Sequence, residues 1–254
     1  MILRATEMGD GPPVVLLHGL FGAARNWGTV QRRLAKRFRV LALDLRNHGE
    51  SPHAPGMGYA ALAGDVLETL AGADALPAAL IGHSMGGKAA MRAALDQPNA
   101  VTRLLVADIA PVPYPPGFGM YARAMSALPL APGLTRAEAD AALAPAVPDV
   151  GVRGFLLQNL RVGAAPAWRI GLAEIAGGLA DIEGWEAPPG ATYPGPTLFV
   201  AGARSTYIQP AHRPAIRALF PAARFVALKD AGHWLHSDNP EGFIAVAEGF
   251  LSVR

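Results

Sequence analysis

The stretch "IGHSMGG", residues 81–87, decides how the rest of the chain is read. It stands between an apolar run, "PAALI" (77–81), and a helix-forming stretch, "GGKAAMRAALDQ" (86–97). Gly82-His83-Ser84-Met85-Gly86 therefore places a serine at a strand-to-helix turn, with glycine two residues away on either side. Such a turn is too tight for side chains at the flanking positions. It holds the hydroxyl exposed on a strained backbone at the carboxyl end of a sheet. The stretch predicts a parallel sheet that ends here and a nucleophile, Ser84.

Short apolar runs recur outward from this point. Residues 13–19, 39–45, 78–84, 102–110, 197–203 and 224–230 read as strands buried on both faces, because they lack polar alternation. Helical patterns fill 26–37, 58–72, 85–96, 210–219 and 240–251; the last opens with Asn239 as N-cap and Pro240 at the first helical position. Alternating strands and helices imply an α/β fold with a mostly parallel central sheet flanked by helices. The rhythm breaks between 111 and 195, a Pro-, Ala- and Gly-rich interval without a good strand. Inside it "TRAE" (135–138) reads as a capping box, and "RGFLLQNL" and "WRIGLAEIAGGLADI" show helical periodicity. The expectation is a catalytic core of residues 1–110 and 196–254 carrying a helical lid, 111–195, inserted between two strands.

Composition narrows the function classes. The 254 residues carry 22 basic and 20 acidic side chains, too balanced a charge to point to a nucleic-acid partner. The basic cluster at 31–39 reads as the solvated face of a helix whose apolar side is Trp27, Val30, Leu34 and Phe38. With no cysteine there is no thiol nucleophile, disulfide or thiolate metal site, and no His/Asp/Glu cluster has metal-ligand spacing. No cofactor is expected. The N-terminal residues show no signal-peptide pattern and no apolar run is long enough to span a membrane, so the expected location is cytoplasmic.

A serine nucleophile needs a base, an orienting acid and donors for the oxyanion. Where the serine sits on such a turn, the order along the chain is Ser, acid, His. His233, in the loop after the last predicted strand, is the candidate base; His212 falls in a helical stretch, and His236 reads as packing. The loop after the penultimate strand, "VAGARSTYI" (200–208), holds no carboxylate. The acid is therefore sought at the end of the preceding strand, where Asp108 closes an apolar run and would be costly to bury without a partner. A helix cap or salt bridge is the alternative role for Asp108, and Asp230 lies three residues before His233. The oxyanion donors are expected at the backbone N–H groups of Met85 and Leu20. Phe21, His83, Tyr114 and Trp234 are the candidates to line the acyl pocket, with further lid aromatics at Phe118, Tyr121, Trp168 and Trp185.

The motifs "HGLFGAARNW", "DLRNHGES", "GHSMGG", "VADIAPVPY", "RGFLLQNL", "WRIGLAEIAGGLADIEGW" and "AGHWLH" occur in this order over nearly the whole chain. Together they resemble the α/β-hydrolase superfamily, and within it the small esterases related to alpha/beta-hydrolase domain-containing protein eleven. The resemblance implies hydrolysis of carboxylic esters or thioesters and an acid at the "DIAP" position, Asp108. The expected partner is a small-molecule ester or thioester. An acyl-CoA thioesterase, with Arg123, Arg153 and Arg161 as a basic groove, is one alternative. A cofactor-free haloperoxidase or perhydrolase is a second, and a non-catalytic receptor on the same fold is the alternative from another class.

Overall fold

The computed structural model describes residues 1–252. A seven-stranded sheet carries the molecule. Its strands are β1 (Ala5–Met8), β2 (Pro13–Leu17), β3 (Arg39–Leu43), β4 (Ala78–His83), β5 (Val101–Ala107), β8 (Thr197–Gly202) and β9 (Ala223–Leu228), in the spatial order β1-β3-β2-β4-β5-β8-β9. The two strands missing from that series, β6 (Leu160–Arg161) and β7 (Ala167–Trp168), pair with each other in a separate ribbon. Among the described residues only β1 runs antiparallel to its neighbour in the large sheet.

Apolar side chains leave both faces of the strands, as the near-continuous runs require. Val15, Leu17, Leu41 and Leu43 enter one core, while Val14, Leu16, Val40 and Ala42 enter the other. The first face is covered by α2 (Tyr59–Gly72) and α3 (Met85–Asp96). The opposite face is covered by α1 (Gly28–Leu34) and the C-terminal helix (Pro240–Ser252). Trp27, Val30, Leu34 and Phe38 are all buried there. Asn239 Oδ1 accepts the Gly242 N–H at 3.0 Å, the expected N-cap of the C-terminal helix.

Between β5 and β8 lie five helices: α4 (Gly119–Ala127), α5 (Arg136–Leu143), α6 (Val150–Leu157), α7 (Leu172–Gly177) and α8 (Leu179–Glu183). Leu128, Ala139, Leu143, Leu157 and Leu160 form a small core within this segment. Thr135 and Glu138 make the capping box that their spacing predicts. Two expectations need correction here. The interval is not free of strands, because Leu160 and Arg161 pair with Trp168 and Ala167. The stretch "WRIGLAEIAGGLADI" is not one helix: its first residue belongs to β7, and the poor helix formers Gly177 and Gly178 divide α7 from α8. The edge strand β1, too short and polar to stand out from the N-terminal residues, is an addition to the expected set. The chain then continues through α9 (Arg213–Leu219), α10 (Leu235–Asp238) and the C-terminal helix, α11. Among the described residues no helix is long and apolar enough to cross a membrane.

Candidate active site

Ser84 stands between the last residue of β4 and the first of α3, with φ +53° and ψ −121°. The flanking glycines have a steric cause. A Cβ on Gly82 would lie 2.3 Å from Gly86 O, and one on Gly86 would lie 2.4 Å from Leu17 O, so neither position admits a side chain. The strain at Ser84 is held by its N–H bond to Ala107 O (3.0 Å) and by the first turn of α3, where Lys88 N–H donates to Ser84 O (3.0 Å).

Three side chains distant in sequence meet at this turn. His233 Nε2 lies 3.1 Å from Ser84 Oγ, and His233 Nδ1 lies 2.8 Å from Asp108 Oδ2. Asp108 is 0 % exposed. A buried carboxylate is costly without partners, and Asp108 has three. The His233 ring and the Ser205 hydroxyl both donate to Oδ2, and Gly202 N–H donates to Oδ1 at 3.0 Å. Asp230 is not part of this cluster; its carbonyl accepts from Arg204 at 3.0 Å. His212 lies in a short 3-10 turn ahead of α9. His236 stacks on Trp27 with centroids 4.4 Å apart.

The expected oxyanion donors lie beside the serine. The loop after β2 approaches so closely that a Cβ on Gly19 would sit 3.2 Å from Ser84 Cβ. In that loop the Phe21 N–H is taken by His48 Nε2 (3.1 Å) and the Gly22 N–H by Gly19 O (2.9 Å). Among the described residues no acceptor engages the N–H of Leu20 or of Met85.

A cleft of about 640 Å³ opens over Ser84 and His233. Phe21, His83 and Trp234 line it, joined by Phe118, Tyr121 and Phe155 from the helical segment. Tyr114 lines a small recess beneath, beside Leu20, Ser84 and Met85, and its hydroxyl is committed to Tyr207 O (2.6 Å) and Ala110 N (2.9 Å). His83 also has a framework bond: its Nε2–H donates to His233 O at 2.8 Å. Trp168 does not reach the cleft; its indole N–H bonds Met125 O at 3.1 Å. The basic groove expected of a thioesterase is not assembled at Arg153, which is buried and paired with Asp140 at 3.0 Å.

Several residues of the site lie outside the sequence expectation. Ser205 stands in the loop searched only for a carboxylate, yet its hydroxyl donates to Asp108. The Tyr207 ring stacks on His233 with centroids 4.0 Å apart and planes at 20°. Lys88 is buried in α3, with Nζ 2.6 Å from Gly184 O and 4.9 Å above the Tyr114 ring. Burial pushes its amine down to about 7. The run "GGKAAM" gave no cue that a lysine there would point inward.

The histidines around the site are held neutral. Burial pushes His18 down to about 4, His48 to about 3 and His236 to about 4, and it pushes His83 well below the ordinary histidine range. Hydrogen bonds fix the tautomers of His83, whose Nε2–H donates to His233 O, and of two more at both ring nitrogens. His18 Nδ1–H donates to Gly19 O while Nε2 accepts Leu45 N–H, and His48 Nδ1–H donates to Arg46 O while Nε2 accepts Phe21 N–H. In the unfolded chain these rings take up protons near pH ~6.5, so below that pH the unfolded state binds more protons than the native state. Stability is therefore full above about pH 6.5 and falls as the pH drops toward about 4, by up to ~1.4 kcal/mol per pH unit for each ring. Thermal melts across this range are expected to show Tm declining steeply on the acid side. A Tm that stays level from neutrality to about pH 4.5 contradicts the neutral tautomers.

Comparison with known proteins shows the family to which this fold belongs. The chain is 41% identical over 252 residues to the sn-1-specific diacylglycerol lipase ABHD11 of Mus musculus, covering 95% of this chain and 81% of that protein. It is 34% identical over 255 residues to Esterase YbfF of Escherichia coli, covering 98% of this chain and 96% of the relative. A solved structure described as a marine microorganism esterase superposes with a TM-score of 0.95 at 33% identity, over 98% of this chain and 99% of the other. The model of the alpha/beta hydrolase family matches residues 14–246, and the chain belongs to that family.

Proposed function

We propose that the chain hydrolyses carboxylic esters of short-to-medium acyl chains through an acyl-enzyme at Ser84. The observation that carries this reading is the continuous path from Ser84 Oγ to His233 Nε2 (3.1 Å) and from His233 Nδ1 to Asp108 Oδ2 (2.8 Å), at the floor of an apolar-walled cleft. Relatives named as esterases and lipases support ester hydrolysis as the reaction class. In the proposed sequence the serine oxygen attacks the acyl carbon while His233 takes its proton at Nε2. The Asp108 carboxylate holds the Nδ1–H tautomer and balances the imidazolium. The Leu20 and Met85 N–H groups receive the oxyanion, worth about 3–4 kcal/mol for each such donor. His233 then protonates the leaving alcohol, and water repeats the steps in reverse order to release the acid.

In this reading residues 111–195 are a lid on a core of 1–110 and 196–254. Phe118, Tyr121 and Phe155 bring the segment's apolar surface to the cleft. An apolar wall gains up to ~0.8 kcal/mol per buried methylene, about fourfold in kcat/KM. Across p-nitrophenyl esters from acetate to palmitate, kcat/KM is expected to rise from acetate and then fall once the chain outgrows the cleft. A flat profile, or a sharp preference for acetate, means that the segment does not contact the acyl group.

A further inference from the structure

Asn159 is the one residue of "RGFLLQNL" whose buried amide has no role in the reaction as proposed. It follows α6 and is 0 % exposed. Its Nδ2 donates to Phe21 O at 2.7 Å and faces Leu156 O at 3.3 Å, whereas its Oδ1 is buried with no hydrogen-bond partner among the described residues. The amide cannot be turned over, because that would set its oxygen against two carbonyls. An unpaired buried acceptor is a standing cost, so the bond to Phe21 O is retained at the expense of the other end of the side chain. The contact is anchored on the helical-segment side as well: Asn159 O accepts Arg169 N–H at 2.8 Å, and Gln158 Oε1 accepts from Asn26 Nδ2 at 3.1 Å.

Phe21 is no ordinary loop residue. It has a φ of +59°, a left-handed conformation that bulky side chains avoid. Both peptides flanking it are pinned. The N–H is held by His48 Nε2, from the loop after β3, and the C=O by Asn159 Nδ2, from the helical segment. The residue immediately before it is Leu20, whose N–H is one of the two proposed oxyanion donors.

The geometry points to Asn159 as a positioning residue that couples the helical segment to the oxyanion hole: its bond to Phe21 O, opposed by His48 at Phe21 N–H, keeps Phe21 left-handed and the Leu20 N–H turned toward Ser84. This inference rests on the reading of Ser84 as nucleophile and Leu20 N–H as oxyanion donor. Seating the segment and completing the oxyanion hole are then one event. Without the Asn159 donor, Phe21 is free to relax toward negative φ and carry the Leu20 amide with it. The oxyanion loses a donor in the transition state, and the acyl chain loses nothing.

The test is Asn159→Leu, which keeps the branched shape and the number of side-chain heavy atoms and removes the donor, assayed on acetate and octanoate p-nitrophenyl esters and by the rate of covalent labelling with a fluorophosphonate. Expected are a fall in kcat of about 10–100-fold, part of the cost of deleting such a donor, the same factor for both esters, KM nearly unchanged, and a parallel fall in labelling rate. An unchanged kcat, or a loss confined to octanoate, overturns the inference, since a residue that only shapes the acyl pocket acts through chain length. If Asn159→Leu does not fold in a thermal melt, His48→Phe decides by the same readouts, and His48→Gln, which restores an acceptor for the Phe21 N–H, is expected to recover most of the loss. Wild-type protein that neither labels at Ser84 nor turns over either ester counts against the proposed reaction itself. Wild-type activity with indifferent Asn159 and His48 variants counts against the coupling alone.

Discussion

Ser84→Ala is expected to lower kcat by about 10⁴–10⁶, the loss typical when a serine nucleophile is removed from such an arrangement, while the fold is kept. The reason lies in what the hydroxyl touches. Its recorded bond is to His233 Nε2, and the strained turn is maintained by backbone bonds that alanine preserves. Both glycine clashes that shape the turn are also indifferent to the Ser84 side chain. Thermal melts of the variant should therefore match wild type as closely as the kinetics diverge. A fluorophosphonate should label the wild type at Ser84 and leave the variant unlabelled. Full activity in the variant, or labelling at another residue, rules out Ser84 as the nucleophile.

Asp108→Asn is expected to cost about 10⁴ in kcat, and Asp230→Asn very little. Asp108 accepts three hydrogen bonds, from His233, Ser205 and Gly202. An asparagine there best keeps its oxygen toward the Gly202 N–H and turns its NH₂ toward His233. That orientation forces His233 Nδ1 to accept, puts the ring proton on Nε2, and leaves nothing to take the proton from Ser84. Asp230 has no such consequence, because its recorded bond is through its carbonyl to Arg204. If Asp230→Asn is the crippling change and Asp108→Asn is mild, the acid has been placed wrongly.

The expected strands were legible because burial on both faces leaves a plain sequence signal: Val14 through Leu17 have no polar alternation, and their side chains do enter two different cores. Ser84, Asp108 and His233 were legible for another reason. Each stands at the end of a strand or in the loop after one, and the order of strands in the sheet brings those ends together. Ser205 was not legible, because a hydroxyl beside a carboxylate has no spacing rule and the loop was read for charge. Nor was Tyr207, whose stacking on His233 depends on a loop path that no periodicity encodes. Tyr114 shows the limit from the other side. An aromatic in the right interval was expected at the acyl pocket, but its hydroxyl ties Ala110 to Tyr207 below the cleft. Arg153 of the helical segment teaches the same lesson, since it is consumed by Asp140 rather than offered to a ligand.

β5 and β8 pair directly, Leu104 with Thr197 through Ala107 with Val200, although five helices intervene between them in the chain. The chain leaves and returns through a single doorway: Tyr114 N–H donates to Glu183 O at 2.8 Å, and the Glu183 carboxylate takes the N–H groups of Gly117 (2.7 Å) and Phe118 (3.0 Å). Lys88 closes the seam from α3 by its bond to Gly184 O. The helical segment is thus a cassette, and the sheet need not be rerouted to replace it. On the proposed reading, specificity is recast by exchange of whole cassettes cut at Tyr114 and Gly184, with Ser84, Asp108 and His233 left in place. A transplanted cassette must bring its own glutamate for the doorway and its own amide for Phe21, and it must also match the apolar surface that Met125, Leu156, Ile175 and Ile182 bury against the sheet.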